Sequence, residues 1–402
     1  MFREFFDCDD CNDCDDCNER SMSKSRSMSR SKVKVKVNVK VDNMKILHVI
    51  TTLSTGGAEH LMVDLVPRLR DAGHEVELCV FNGGRTPFRD ELERAGITIH
   101  ALQAGGNVYN PLNIVRLWRL MRAGKYDIVH THNTACQLFA AIASLMCNTT
   151  LVTTEHSTSN RRRKMSWYKP IDRWMFGRYS KIICISEIAE KSLREYLSLP
   201  SDTITTINNG VDVARFAAAK PNEELAAQFQ GKHLGMMVAG FRWEKDHTTI
   251  IKAYSLLPDR YHLALVGDGV KRPEMEQLAK DLGVAHRVHF LGLRSDIPQL
   301  LATADVRIMS SHFEGLSLSS VEGMAAGVLI ASDVDGLREV VQGAGVLFGH
   351  GDAQGFADAI LRLDSEAAYR EAVASACRER ARGYDIGVMA QGYLQEYEKL
   401  RK

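Results

Sequence analysis

The feature that most constrains this chain is a regular alternation. From Met44 onward, short runs of valine, isoleucine and leucine recur between longer segments whose apolar residues fall at helical spacing. Continuous apolar runs are strands buried on both faces, and such strands belong to parallel sheets whose crossovers are helices. A first series of runs covers 45–50, 75–81, 127–130, 151–154, 181–185 and 205–207, with helical patterns at 58–72 and 113–122. A second covers 233–239, 262–267, 288–292, 306–309 and 328–331, with helical patterns at 248–257, 273–282, 297–303 and 319–326. The chain therefore reads as two doubly wound α/β domains, 44–213 and 214–384. They divide near 213–230, where Pro221 and the polar stretch PNEELAAQFQGK suggest a surface connection. Met389, Tyr393 and Tyr397 recur at helical spacing within 385–402, which predicts a closing helix that packs on existing structure. Ligands of doubly wound sheets bind at the carboxyl ends of the strands, so two facing sheets put the site in the cleft between them.

Charge and composition exclude some classes. With 51 basic and 50 acidic residues the net charge is +1, without the basic excess of a general nucleic-acid binder. A hydrophobic fraction of 45% and a charged fraction of 25% suit a globular protein. No apolar run approaches the roughly 20 residues that span a bilayer. The longest, 138–146, reads as a buried helix. Cys79, Cys136, Cys147, Cys184 and Cys377 are scattered in mostly apolar surroundings and read as free thiols of a reducing cytoplasm.

Residues 1–43 are unlike the rest. Cys8, Cys11, Cys14 and Cys17 recur every third position among Asp and Asn, followed by SMSKSRSMSRSK and VKVKVNVKV. Short-period repeats of this kind build no packed core and read as a disordered, low-complexity tail. The cysteine spacing permits a metal or iron–sulfur site, but the tail offers no fold to set ligand geometry. There is no apolar segment of a secretory signal.

The chemistry concentrates in loops that follow strands. LSTGGAEH places Gly56 and Gly57 where a backbone can approach a ligand before a helix opens; a simple tight turn explains the pair as well. Neither GxGxxG nor GxxxxGK[ST] occurs. DIVHTHN puts His130 and His132 at a strand end, where alternation is expected to send them to opposite faces and away from a shared metal. Either is a sugar contact or a structural histidine. TEHST adds a polar rim after the next strand. FRWEKDH carries Arg242 and Lys245, cations that suit a diphosphate or form a solvated charged loop. GDG at Gly267–Gly269 is a turn that could also approach a nucleotide.

SSHFEGLSLSSVEGMAA, residues 310–326, sets Glu314 and Glu322 eight positions apart around a loop that opens into a helix. The first amides of such a helix are unpaired and its dipole favours an anion. Eight residues of helix rise by roughly 12 Å. Glycosidase carboxyls stand about 5–5.5 Å apart when retaining and about 6.5–9.5 Å when inverting. The spacing instead suits carboxylates gripping two ends of one elongated ligand.

Together, GGAE, DIVHTHN, INNGVD, FRWEKDH, VGDG, EGLSLSSVEGMAAG and DGLREVV resemble the family 4 glycosyltransferases, retaining enzymes of the GT-B fold, from Met44 to the C-terminus. The resemblance implies a UDP- or GDP-sugar as substrate, with no metal or other cofactor required. It implies Glu314 at the donor sugar, Glu322 on the ribose, and Arg242 and Lys245 on the diphosphate. It also puts His132 near the reacting sugar, Gly57 near the phosphates, and the backbone around Gly315, Leu316, Ser317 and Leu318 at the helix start. Gly56 and Gly267 complete the donor-binding set. Relatives usually carry arginine where Gly240 stands, glycine at Ser317 and proline at Val328. The acceptor would be a glycan or a lipid-linked sugar, the partners would include no nucleic acid, and the location would be the cytoplasm, including the inner face of the membrane. The basic, aromatic stretch RRRKMSWYKPIDRWMF, residues 161–176, is either a membrane-surface helix or a solvated helix with Trp174 and Phe176 tucked inward. Rival readings are a nucleotide-sugar epimerase on the same fold and a non-catalytic nucleotide-sugar-binding subunit.

The restart at Met44, MKILHVI, marks the expected biological start, with the tail a translated upstream repeat. N-terminal mass spectrometry of the native protein checks this, and peptides from residues 1–30 would exclude it.

Overall fold

The computed structural model describes residues 43–54, 56–156, 163 and 165–401. The expectations for the cysteine-bearing tail, and for Arg161, Arg162 and Lys164, lie outside the described residues.

A seven-stranded sheet is built from β1 (Lys45–Ile50), β2 (Glu75–Asn82), β3 (Thr98–Gln103), β4 (Ile128–His132), β5 (Thr150–Glu155), β6 (Lys181–Cys184) and β7 (Ile204–Thr206), in the order β3-β2-β1-β4-β5-β6-β7. A six-stranded sheet follows, from β8 (His233–Val238), β9 (Tyr261–Val266), β10 (Val288–Gly292), β11 (Val306–Met309), β12 (Leu329–Ser332) and β13 (Val346–Phe348), in the order β10-β9-β8-β11-β12-β13. Every ladder is parallel. This is the expected fold class, two doubly wound α/β sheets. Strand direction reverses its spread between β1 and β4 in the first sheet and between β8 and β11 in the second.

The apolar runs behave as read: β4 and β9 are buried along their whole length. Two strands escaped the pattern. Edge strand β3 holds only half-buried and exposed residues, and edge strand β13 spans only three residues. The polar connection at 213–230 is also more ordered than expected. It forms two short helices, Val213–Ala217 and Glu223–Gln228, capped by the Asp212 and Asn222 side chains. Phe216, Leu225 and Phe229 from it enter the second sheet's core.

The last helix, Ile386–Leu400, does not pack beside the sheet that precedes it. Its backbone is tied to Val211 at the crossover, and Ile386, Met389, Tyr393 and Tyr397 join the core on one face of the first sheet. The Tyr397 hydroxyl bonds His130 Nδ1, Tyr393 Oη lies 3.1 Å from Thr154 Oγ1, and Lys181 pairs with Glu396 at 3.1 Å. These hydroxyls satisfy polar side chains that would otherwise be stranded on a buried sheet face.

Tyr397→Phe removes one bond from a buried imidazole and is expected to cost about 1–3 kcal/mol, whereas Tyr397→Ala should cost about 3–5 kcal/mol by also opening a cavity. Urea midpoints of the two variants check the ordering.

Candidate active site

Two loops leave the switch point of the second sheet. One follows β8 and contains a single 3₁₀ turn, Trp243–Lys245; the other follows β11 and leads to the helix Leu318–Ala326. They are fastened to each other: His312 N donates to the Glu244 carbonyl at 2.8 Å. Ser332 at the end of β12 grips the second loop twice, accepting from Ser311 N at 2.9 Å and donating to the Ser311 carbonyl at 3.0 Å. The result is an ion pair between Lys245 Nζ and Glu314 Oε1, with Ser311 Oγ donating to the same carboxylate oxygen at 2.8 Å. Both side chains keep partial exposure, 26% for Lys245 and 13% for Glu314, so the pair is reachable from solvent.

Glu314 lies in the loop, and the helix begins only at Leu318. The helical-rise estimate for the Glu314–Glu322 separation therefore does not apply. Ser317 sits at the helix cap, yet its hydroxyl makes no capping bond; its carbonyl starts the helix instead. Leu316 and Leu318 pack on the second core, so what this junction offers a ligand is backbone amide. Gly336, on the next helix, lies against the Glu314 and Gly315 carbonyls so closely that a Cβ would collide with them. Gly267 adopts φ +142° and packs on the Ala239 carbonyl, so the turn after β9 requires glycine. Arg242 is exposed and lines a separate hollow with Lys271, Glu274 and His312, while Lys245 reaches Glu314.

Glu322 looks the other way, toward the seam with the first sheet. Burial pushes its carboxyl up to about 7, with Arg215 opposing the shift and Asp64 adding to it. Asp64 and Arg68 come from the helix Gly57–Asp71, and Arg68 pairs with Asp212 at 2.8 Å. That helix opens at the switch point of the first sheet, directly behind Gly56; at Gly57 an added Cβ would meet nothing within 4 Å.

The carboxyl ends of β1, β4 and β5 frame a hollow of about 690 Å³ lined by Thr51, Asn133, Thr154, Glu155 and His156, among others. Behind it lies a cluster of histidines. His130 and His132 do not diverge: a strand's period of two puts residues i and i+2 on one face, and the rings stack at 4.6 Å. The expected divergence is corrected accordingly. His132 is fully buried, with Nε2 3.0 Å from His48 Nδ1 and Nδ1 3.0 Å from His156 Nε2. Burial lowers His48 to about 3 and His156 to about 4, and holds His130 and His132 well below the usual imidazole range. His48 escaped the sequence reading: it joins the cluster only because the register of β1 against β4 sets it beside His130.

Two groups among the described residues have metal-ligand composition. His48, His130 and His132 bring nitrogens within 4.8 Å of one another. Their rings are nearly parallel, at 9° to 22°, so in-plane lone pairs do not converge on one point. Asp246, His312 and His350 form a more open set, with His312 Nδ1 2.7 Å from His350 Nε2 and His312 Nε2 3.9 Å from Asp246 Oδ1.

The basic stretch is partly turned inward. Arg163 pairs with Glu155 at 3.2 Å, and Phe176 is buried, whereas Trp167 and Trp174 stay exposed. No helix among the described residues is long and apolar enough to cross a membrane.

Two doubly wound parallel sheets, each with its own switch point, are the architecture of the GT-B fold. The model for Glycosyltransferase Family 4 matches residues 55–215, and that for Glycosyl transferases group 1 matches 232–366. This chain belongs to the family 4 glycosyltransferases. It is 24% identical to the UDP-Gal:alpha-D-GlcNAc-diphosphoundecaprenol alpha-1,3-galactosyltransferase of Escherichia coli, over 80% of this chain and 88% of the relative. It is 28% identical to the phosphatidyl-myo-inositol mannosyltransferase of Mycolicibacterium smegmatis, over 85% and 90%. Its fold matches Anabaena Alr3699/HepE in complex with UDP, with a TM-score of 0.77 at 22% identity over 89% of this chain and 100% of that one.

Glu322 supplies a pH test. Unfolded, its carboxyl ionises near 4.5; folded, it keeps its proton to about 7, so it withdraws stability as pH rises between those values and withholds it above them. Glu322→Gln is expected to be more stable than the parent by up to roughly 3 kcal/mol at pH 8 and equal to it below pH ~4. Thermal denaturation across that range checks the sign.

Proposed function

We propose that this glycosyltransferase is a retaining hexosyltransferase using a UDP- or GDP-sugar. It delivers the sugar to a glycan or lipid-linked acceptor at the cytoplasmic side of a membrane, in cell-surface polysaccharide or glycolipid synthesis. The observation that carries the reading is the Lys245–Glu314 pair held beside the open start of the 318–326 helix. The names of the relatives support the acceptor class: one carries a diphosphoundecaprenol-linked sugar, the other a phosphatidylinositol.

In this reading the helix start and the Lys245 ammonium receive the donor diphosphate, and Glu314 holds the sugar. The acceptor hydroxyl oxygen bonds to the anomeric carbon on the face the diphosphate leaves. The carbon–oxygen bond to phosphate breaks with its electron pair going to the diphosphate, and the hydroxyl proton passes to a phosphate oxygen. Stabilising the leaving charge is the main catalytic effect. Glu322 meets the ribose from the same helix. The exposed Trp167 and Trp174 beside basic residues provide the membrane-facing surface.

Lys245→Ala and Glu314→Ala should each lower turnover at least about 10²–10³-fold while thermal denaturation still shows a folded protein. Assays with labelled donors and lipid-linked acceptors check this, and near-parental turnover in either variant would remove the assigned role. Acceptor-free conversion of the sugar would indicate an epimerase, and binding without turnover a binding subunit. An inverted anomeric configuration in the product, read by proton NMR, would exclude retention. If the 161–176 surface meets a membrane, neutralising its exposed cations should weaken flotation with anionic liposomes.

A further inference from the structure

The loops that carry Lys245 and Glu314 hold a second constellation. Asp246 follows Lys245 directly, His312 stands two residues before Glu314, and His350 lies in the turn after β13. Asp246 has a φ of +28°, in the left-handed region that glycine fills without strain. What an aspartate adds there over glycine is its carboxylate. That group is only 3% exposed and is poorly matched. Oδ1 accepts from Thr249 N at 3.3 Å and Oδ2 from Ser310 Oγ at 3.4 Å, both long bonds. Among the described residues no lysine or arginine pairs with it, and the adjacent Lys245 is committed to Glu314. A carboxylate buried in this way calls for a paired cation or a metal.

Its remaining neighbour is His312. The Nδ1 of that ring lies 2.7 Å from His350 Nε2, a hydrogen bond, and its Nε2 lies 3.9 Å from Asp246 Oδ1. A gap of 3.9 Å is too long for a hydrogen bond, so an Nε2–H would not reach the carboxylate. Two metal–ligand bonds of about 2.0–2.2 Å each, bent at the metal, do span it. When His312 Nδ1–H donates to His350, the Nε2 lone pair and the carboxylate face each other across that gap. One ring cannot give both nitrogens to one ion. His350 is therefore an outer partner that fixes the His312 tautomer, as hydrogen-bond acceptors do behind metal-bound imidazoles generally.

We propose that Asp246 Oδ1 and His312 Nε2 bind a divalent cation of the zinc class, with His350 as a positioning residue. Water fills the open coordination positions toward the hollow of about 810 Å³ that Asp246 and His312 line. Imidazole with carboxylate suits a borderline acid such as Zn²⁺; Mg²⁺ prefers oxygen and keeps its waters. The ion staples the loop after β8 to the loop after β11, beside the Lys245–Glu314 pair. The proposal rests on these loops alone and not on the transferase reading.

Isothermal titration of the full chain with zinc chloride tests it, with Cys8→Ser, Cys11→Ser, Cys14→Ser and Cys17→Ser in place so that tail thiols do not compete. The expected result is uptake that saturates at one ion per chain and a zinc-dependent rise in the thermal midpoint. Asp246→Asn keeps a helix-capping side chain that tolerates left-handed backbone; it and His312→Gln should each weaken binding at least about tenfold. The thermal midpoint without zinc shows that both variants remain folded. His350→Ala should weaken binding about tenfold at unchanged stoichiometry, and His350→Gln, which keeps an acceptor, should recover part of the loss. Unchanged affinity in His350→Ala would remove its positioning role. Cobalt(II) in place of zinc should show nitrogen and oxygen ligation without thiolate charge transfer. No saturable uptake, or uptake that Asp246→Asn and His312→Gln leave unchanged, would overturn the proposal, as would Mg²⁺ competing on equal terms.

Discussion

A strand buried on both faces can be followed by a parallel neighbour only through a crossover, and the crossover returns the chain to the same edge each time. Every loop that leaves a strand in these sheets therefore emerges at the carboxyl end. Where the winding changes direction, two such loops diverge and leave a crevice. The β8 and β11 loops flank one crevice and carry Lys245 and Glu314; the β1 and β4 loops flank the other and carry Gly56, Gly57 and Asn133. Residues 69 positions apart are brought to an ion pair by this constraint. Ser332, the Glu244 carbonyl and Gly336 then fix the loop to within hydrogen-bond tolerance.

The two sheets are joined by more than the chain that runs between them. The 213–217 and 318–326 helices of the second sheet meet the 57–71 helix of the first around Asp64, Arg68, Asp212, Arg215 and Glu322. Burial also raises Asp64, with His60 and Arg68 opposing it. Two acids whose carboxyls resist ionisation face a pair of guanidiniums across the seam. A proton on Glu322 relieves its repulsion with Asp64, so closing the seam and protonating this group favour one another. The last helix adds an apolar tie, carrying Tyr393 and Tyr397 into the first core.

Legibility in the sequence followed the physics of each signal. Buried strands have one composition whatever they pack against, so Lys45–Ile50 and Val306–Met309 were readable to the residue. β3 and β13 lie at sheet edges, where half-exposure dilutes the apolar run. The last helix announced its buried stripe but not the core it would enter, because periodicity names a face and not a partner. Gly56, Gly57, Lys245 and Glu314 were legible as loop chemistry, but the Lys245–Glu314 bond depends on strand order, which no local pattern encodes. The histidine cluster is the plainest case. Alternation, correctly applied, places His130 and His132 on one face, yet only the register of β1 against β4 brings His48 to them.

In the proposed reading, Gly240 bears on how a diphosphate would be held. The resemblance implies an arginine there, whereas the nearby Arg242 lines a hollow shared with Lys271 and Glu274. An added Cβ at Gly240 would meet the Asp268 carbonyl at 3.5 Å, an ordinary contact, so the backbone here has room for a side chain. If Lys245 alone among the described side chains meets the diphosphate, more of the anion's charge falls to backbone. The 318–326 helix start can do this, because the Ser317 hydroxyl leaves its first amides uncapped and Leu316 and Leu318 face the core. Uncapped amides cost stability when nothing binds and return it when an anion arrives. In that reading, a serine that leaves its helix uncapped is the local counterpart of the arginine the resemblance implies at position 240.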